Sequence, residues 1–227
     1  MRILYKNNRL IFYGLGFFFL LGFIAIFTVS KSDLHLLFNN LVSDSFNPIF
    51  KLITYIGDGW FIIGFLIMAL FINLRFFFTA GISYGVSSGV TQIIKNFFFK
   101  GELRPKPYFE QFFPNEHLKL LKGIEVFGEN SFPSGHTTAA FSFFICLGLI
   151  LRYDWIKILC FVIAILVGVS RIYLSQHFFQ DVLAGAFIGS ASAIIFVYYF
   201  NYSVTSGRFN RLDQPLLRYL FSKPYNE

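Results

Sequence analysis

Long apolar runs, separated by short polar breaks, dominate the pattern along this chain. Six runs stand out, at about 10–29, 60–74, 76–95, 136–151, 155–172 and 178–200. Runs of this length predict helices that cross a bilayer, although the second and fourth are short for a hydrocarbon core of about 30 Å. Trp60 and Tyr153, which flank those two, suit an interfacial aromatic belt. The first run follows Arg2, Lys6 and Arg9; it exceeds a signal-peptide core and no small-residue cleavage site follows, so it reads as an uncleaved span.

Two stretches break the pattern. Between Ser30 and Gly59 apolar residues such as Leu34, Leu37, Leu41, Ile49 and Ile53 recur at loosely helical spacing. This predicts one or two amphipathic helices lying on the membrane face. From Asn96 to Pro133 runs a polar segment holding Pro105, Pro107, Pro114 and Pro133. It predicts a long loop. The expected architecture is all-α: a single polytopic domain, 1–227, with six transmembrane helices, core motifs within 95–185 and a basic tail over 203–227.

Composition strengthens the membrane reading. The chain is 56% hydrophobic and 14% charged, with 34 Phe, and its mean hydropathy is +0.61. A soluble domain carries roughly 25% charged residues. The net charge of +7 could point to nucleic acid on a soluble protein. In a membrane protein it follows from the positive-inside bias, so no nucleic-acid partner is expected. Cys146 and Cys160 lie in apolar runs, away from any pairing at metal-ligand spacing. With six spans, both termini share one side, and the cations divide ten against nine between the two faces. Short segments weigh most in this rule, which places the termini in the cytoplasm and the long loop outside.

Three polar clusters carry candidate chemistry: Lys95 to Pro105, Ser131 to Thr138, and Ser170 to Asp181. They end the third predicted span, begin the fourth, and bridge the fifth and sixth, so all fall at one membrane face. Lys95, Arg104 and Arg171 supply cations for an anionic group, and guanidinium groups suit phosphate oxygens. Ser134-Gly135-His136 opens a helical run whose free amides favour an anion, and Gly135 lets the backbone approach closely. Asp181 follows His177 by four residues; on a helix the two face the same way. A carboxylate on one ring nitrogen fixes the tautomer and frees the other to attack phosphorus. His136 can protonate the leaving oxygen. Each motif alone has a plain reading, as a snorkelling cation, an interfacial His or a turn. Their convergence on one face does not. His35 and His117 read as surface residues, and Asp58, between two glycines, as a turn former.

The order Lys…Arg104-Pro105, then Pro133-Ser134-Gly135-His136, then Ser170-Arg171 with His177 and Asp181, resembles the type 2 phosphatidic acid phosphatase and vanadium haloperoxidase superfamily. The resemblance covers about Lys95 to Gly185. It implies His177 as nucleophile, Asp181 as its orienting carboxylate and His136 as general acid. It further implies Lys95, Arg104, Arg171, Ser134 and the Gly135 amide as phosphate ligands, with no metal or cofactor. The first motif departs from the pattern: eight residues separate Lys95 from Arg104, and three separate Lys100 from it. Lys95 is favoured because it ends an apolar run.

The expected activity is that of a metal-independent lipid phosphatase in a bacterial inner membrane, its site facing the periplasm or exterior. It would hydrolyse a phosphomonoester or diphosphate through a phosphohistidine. Undecaprenyl diphosphate, lipid A, phosphatidylglycerol phosphate and phosphatidate are the candidate substrates. A phosphotransferase would use the same site, and a haloperoxidase shares it, but the known kind is soluble and larger. A transporter needs charges near mid-span, where these spans have almost none, and a scaffold has no use for the His177 and Asp181 spacing. Oligomeric state leaves no signal in the sequence.

Overall fold

The computed structural model describes residues 1–124 and 127–221, and these contain helices and loops but no strand. The end of the basic tail, with Lys223, lies outside the described residues. Eleven α-helices follow in order: α1 Arg2–Asn7, α2 Arg9–Thr28, α3 Lys31–Asn40, α4 Asn47–Ile56, α5 Gly59–Leu70, α6 Leu74–Ile93, α7 Pro105–Phe112, α8 Gly135–Ile150, α9 Asp154–Tyr173, α10 Phe179–Val197 and α11 Leu216–Phe221.

The six apolar runs are helical within a few residues of the expected limits, as α2, α5, α6, α8, α9 and α10. By length and composition, three helical segments are apolar enough to cross a membrane: Arg9–Thr28, Asp154–Tyr173 and Phe179–Tyr202. The pair α4 and α5, bent by 50° at Gly57 and Asp58, raises this to four. The other helices fall short of the test for physical reasons. Gly, Ser and Thr dilute the hydropathy of α6, which carries Thr79, Gly81, Ser83, Gly85, Ser87, Ser88, Gly89 and Thr91. The 16-residue α8 is the centre of the bundle, packed by α6, α9 and α10. Protein rather than lipid surrounds it, so its length need not match a bilayer. The outer helix α2 shows the opposite pattern: Phe17, Leu20, Phe23 and Phe27 are exposed. Apolar side chains turned outward over a whole helix suit hydrocarbon surroundings.

Two features hold the centre together. Hydroxyl groups bond across the helices: Ser83 with Ser142 at 2.9 Å, Ser192 to the Ser83 carbonyl at 2.9 Å, and Thr91 to Thr138 at 3.1 Å. Such bonds pair groups that hydrocarbon would leave unsatisfied. Glycine then brings α10 against α8. A Cβ at Gly185 would lie 2.6 Å from the Ser134 carbonyl oxygen, and one at Gly189 would lie 2.5 Å from that of Thr138. The stretch between the first two spans forms α3 and α4, the latter the more amphipathic. The joint between α4 and α5 is also tight: a Cβ at Gly57 would meet Val167 at 2.4 Å and the His136 carbonyl oxygen at 3.1 Å. The bend of this helix pair is thereby set against the start of α8.

Gly189→Ala is expected to destabilise the purified protein by about 1–3 kcal/mol, the range for overpacking a filled interior. The expected result is a lower thermal midpoint in detergent; an unchanged midpoint would show that the two helices separate freely.

Candidate active site

Asp181 is 1% exposed, and its surroundings define the site. Its Oδ2 accepts from the Ser131 hydroxyl at 2.5 Å and from the Phe178 N–H at 2.9 Å. The His177 Nδ1 lies 3.4 Å from the same oxygen. The second of these bonds is half of a capping box: a carboxylate at the third helical position reaching back to the N-cap amide. The first turn of α10 therefore holds the carboxylate. This corrects the expectation that His177 and Asp181 share a helix face. His177 precedes α10, and the pair meets across a cap instead. Nδ1 faces the carboxylate, which leaves Nε2 free.

A tight turn between α9 and α10 delivers His177. The backbone N–H groups of Gln176 and His177 both donate to the Arg171 carbonyl. Ser175 takes a left-handed conformation, φ +52°, unfavourable for a residue with a Cβ. Its hydroxyl lies 3.2 Å from His35 Nε2 and accepts from the Asn39 amide at 3.2 Å. His35 is thus not the surface residue expected. It is fully buried beside the Phe109 and Phe178 rings, and it anchors the turn. His117 is exposed, as expected.

The cations gather around His177. Arg104 Nε donates to the Glu129 carbonyl at 3.0 Å and its Nη1 to the Gln176 carbonyl at 3.1 Å. Arg171 Nη1 donates to the Thr54 hydroxyl at 2.5 Å and Nη2 reaches the Gln176 side-chain oxygen at 3.5 Å. Gln176 thus bridges both guanidinium groups. Lys95 is half-buried and lies within electrostatic reach of Arg104, Arg171 and Asp181. Lys100 is exposed. The longer first motif has a structural account. After α6 the chain makes a wide π-type turn over Ile94–Phe98, then turns at Gly101 with φ +81°, and these absorb the added length. Burial pushes the His177 imidazole well below its ordinary pKa, and Arg104, Arg171, Lys95 and His136 push it the same way. The unliganded ring is therefore neutral at physiological pH.

The N-terminus of α8 completes the site. The Ser134 N–H donates to the Asp181 carbonyl at 3.0 Å, joining the second and third motifs. The Ser134 hydroxyl accepts from the Thr137 hydroxyl at 2.9 Å and from its N–H. It is thereby engaged as the helix cap. A Cβ at Gly135 would meet nothing within 4 Å, so the space where a side chain would stand at this helix start is open. His136 Nε2 lies 3.7 Å from Asp58 Oδ2. Asp58 does form the expected turn, accepting from the Trp60 N–H at 2.8 Å as the cap of α5, but it also faces the second histidine.

Residues 74–205 match the sequence profile of the PAP2 superfamily. The chain belongs to that superfamily. A PA-phosphatase related-family protein of Dictyostelium discoideum is 37% identical over 109 residues, 40% of this chain and 39% of the relative. The match thus spans about two fifths of that relative's length. Among solved structures, LpxE of Aquifex aeolicus superposes with a TM-score of 0.63 at 28% identity, over 74% of this chain and 94% of LpxE. A PAP2-type phosphatidylglycerolphosphate phosphatase of Bacillus subtilis superposes with a TM-score of 0.61 at 23% identity, over 86% and 96%. Lys95 and Asp181, the first and last of the candidate site residues along the chain, lie within the matched span, as do those between them.

Sequence reasoning missed Thr54, Gln176, Ser131 as the carboxylate's donor, and the His35 and Asn39 anchor. Of these, Ser131 and Gln176 had a signal, their places within the second and third polar clusters.

His35 is held near pKa 4 by burial, with the Asp181 charge opposing. The unfolded chain takes up this proton below about 6.5 and the folded one only near 4, so stability falls as pH drops through that window. At about pH 5 the loss is on the order of 2 kcal/mol. Thermal midpoints in detergent at about pH 7.5 and about pH 5 should differ more for the wild type than for His35→Gln. Equal differences would mean that His35 does not titrate in the unfolded chain alone.

Proposed function

We propose that this chain is a metal-independent phosphatase of membrane lipids and that it works through a phosphohistidine. One observation carries the reading. A neutral, buried imidazole has Nδ1 against a carboxylate and is ringed by Lys95, Arg104 and Arg171. That arrangement suits a nucleophile attacking a phosphate whose oxygens are neutralised by fixed cations. His177 Nε2 attacks phosphorus, and the bond to the leaving oxygen breaks as His136 protonates that oxygen. Water then attacks the phosphohistidine, with His136 taking the proton, and inorganic phosphate departs. The Gly135 amide, at the start of α8, adds a donor to the phosphate oxygens, and Ser134 supports it as the cap. Asp181 keeps the ring oriented and favours the charged state.

We place the termini in the cytoplasm and the site outside a bacterial inner membrane, which makes outer-leaflet lipids the accessible substrates. Undecaprenyl diphosphate, lipid A, phosphatidylglycerol phosphate and phosphatidate form the panel. A phosphotransferase would use the same first step and differ only in the acceptor.

Phosphate release by purified protein tests the chemistry. His177→Ala is expected to abolish it, and Lys95→Ala to lower it by about 10²-fold or more, as for other preorganised charge-stabilising groups. Lys100→Ala should lower it little, because an exposed charge contributes weakly. Orthovanadate, a transition-state mimic, should inhibit, and a chelator should not. Near-normal release from His177→Ala, or loss with chelator that magnesium restores, overturns the mechanism.

Labelling tests the topology. A Cys at Asn115 should react with an impermeant thiol reagent in intact spheroplasts, and a Cys at Arg152 only after lysis. Both positions are exposed, and native Cys146 and Cys160 are buried. The reverse pattern would put the site in the cytoplasm.

A further inference from the structure

Lys31, the first residue of α3, lies outside the three polar clusters yet stands against the site. Its ammonium is ion-paired with Glu102 at 3.1 Å. It also lies 4.1 Å from the centre of the Phe178 ring and 5.0 Å from that of the Tyr108 ring, contacts that attract a cation. Both Glu102 and Phe178 lead to Asp181. The Phe178 N–H donates to Asp181 Oδ2. The Glu102 carbonyl accepts from the Ser131 N–H at 3.0 Å, and the Ser131 hydroxyl donates to the same carboxylate oxygen. Lys31 thus touches the two segments that hold the carboxylate. A positive charge at a helix N-terminus opposes the helix dipole, so α3 itself gains nothing from a lysine here.

Several charged groups face the His177 and Asp181 pair. Lys31 from α3, Lys95 from the end of α6 and Arg104 from the start of α7 lie within electrostatic reach of Asp181. Arg104, Lys95, Arg171 from α9 and His136 from α8 act on His177. His35 from α3 also faces Asp181, and its ring is neutral at physiological pH. Lys95, Arg104 and Arg171 are the cations proposed to meet the phosphate. The Lys31 ammonium is turned instead to Glu102 and the two rings. A positive charge held near the pair makes its uptake of a proton less favourable. Glu102, of opposite sign, offsets part of that effect. A carboxyl that has taken a proton no longer favours the charged ring that forms as His177 attacks phosphorus.

We propose that Lys31 is a positioning residue that acts through Asp181: its ammonium holds the carboxylate in the ionised form that orients His177, and Glu102 limits how strongly it does so. The inference rests on the phosphatase reading above. It gives α3 an electrostatic part in the reaction beside the anchoring of the His177 turn by His35 and Asn39.

The test is the pH profile of kcat/KM for phosphate release by purified protein in detergent. Phosphatidylglycerol phosphate, lipid A, phosphatidate and undecaprenyl diphosphate are assayed with the wild type, and the lipid turned over fastest is carried through the variants. Ionisation of that substrate is common to all of them, so differences between their acid limbs report the enzyme. Lys31→Met keeps an apolar stem against Phe178 and removes the charge. Its acid limb should move to higher pH by on the order of half a pH unit, the size left to a nearby charge that Glu102 partly offsets. Lys31→Arg should restore the wild-type limb. Glu102→Gln can still accept from Lys31 but loses its negative charge, and its limb should move the other way, to lower pH. A bridge that served only to hold the loop would act alike in both neutral variants, through a lower thermal midpoint. Limbs that stay in place, or that move in the same direction, therefore overturn the inference. If Lys31→Met does not fold, an unmoved limb in Glu102→Gln overturns it alone. In each of these cases release that depends on His177 leaves the phosphatase reading standing. No His177-dependent release from any of the four lipids overturns that reading itself.

Discussion

A carboxylate with 1% exposure must be surrounded by donors, because burying an unpaired charge is prohibitively unfavourable. The Oδ2 of Asp181 finds them in three segments: Ser131 from the long loop, the Phe178 amide from its own helix cap, and His177 from the turn before it; among the described residues Oδ1 has no such partner. Its carbonyl also accepts from the Ser134 amide at the start of α8. The bonds made by this one residue therefore tie the second and third motifs together and orient the candidate nucleophile. Folding and chemistry share one constraint here, and neither can change without the other.

The bundle below supplies the precision. Gly185 and Gly189 let α10 lie against the backbone of α8, while hydroxyl pairs register α6 with both. Close backbone contact is an effective way to associate helices in lipid, where apolar side chains gain little by leaving their surroundings. The helix ends that carry Lys95, His136, Arg171 and Asp181 thereby arrive at one level. A second layer then stiffens them. Gln176 bridges two arginines, Thr54 holds one of them, and His35 with Asn39 pins the left-handed Ser175. Fixed cations and dipoles stabilise developing charge without reorganising, and this layer is what would hold them fixed.

The amphipathic helices take part in the site rather than merely lying beside it. His35 and Asn39 come from α3, Thr54 from α4, and Asp58 from the bend after it. The segment that looked peripheral in the sequence thus reaches both the back of the His177 turn and the flank of His136.

The sequence alone determined the helical membrane class and the approximate limits of its apolar helices, and it nominated the two histidines, the aspartate and the cations of the candidate site. Those features are local: hydropathy accumulates along a run, and the spacing of His177 and Asp181 is four residues. It also located Lys95 at a helix end, where a backbone is held. Tertiary structure decided what depends on residues distant along the chain. Thr54 meets Arg171 across 117 positions and His35 meets Ser175 across 140, and no periodicity encodes such a meeting. The same holds for Asp58, a sound turn former by its neighbours, whose place beside His136 follows only when the α4–α5 bend closes on α8. Even the local His177 and Asp181 pair needed the fold to show its form. Whether a helix starts before or after His177 is set by where the α9–α10 turn can be capped, and that turn is held by side chains from another part of the chain.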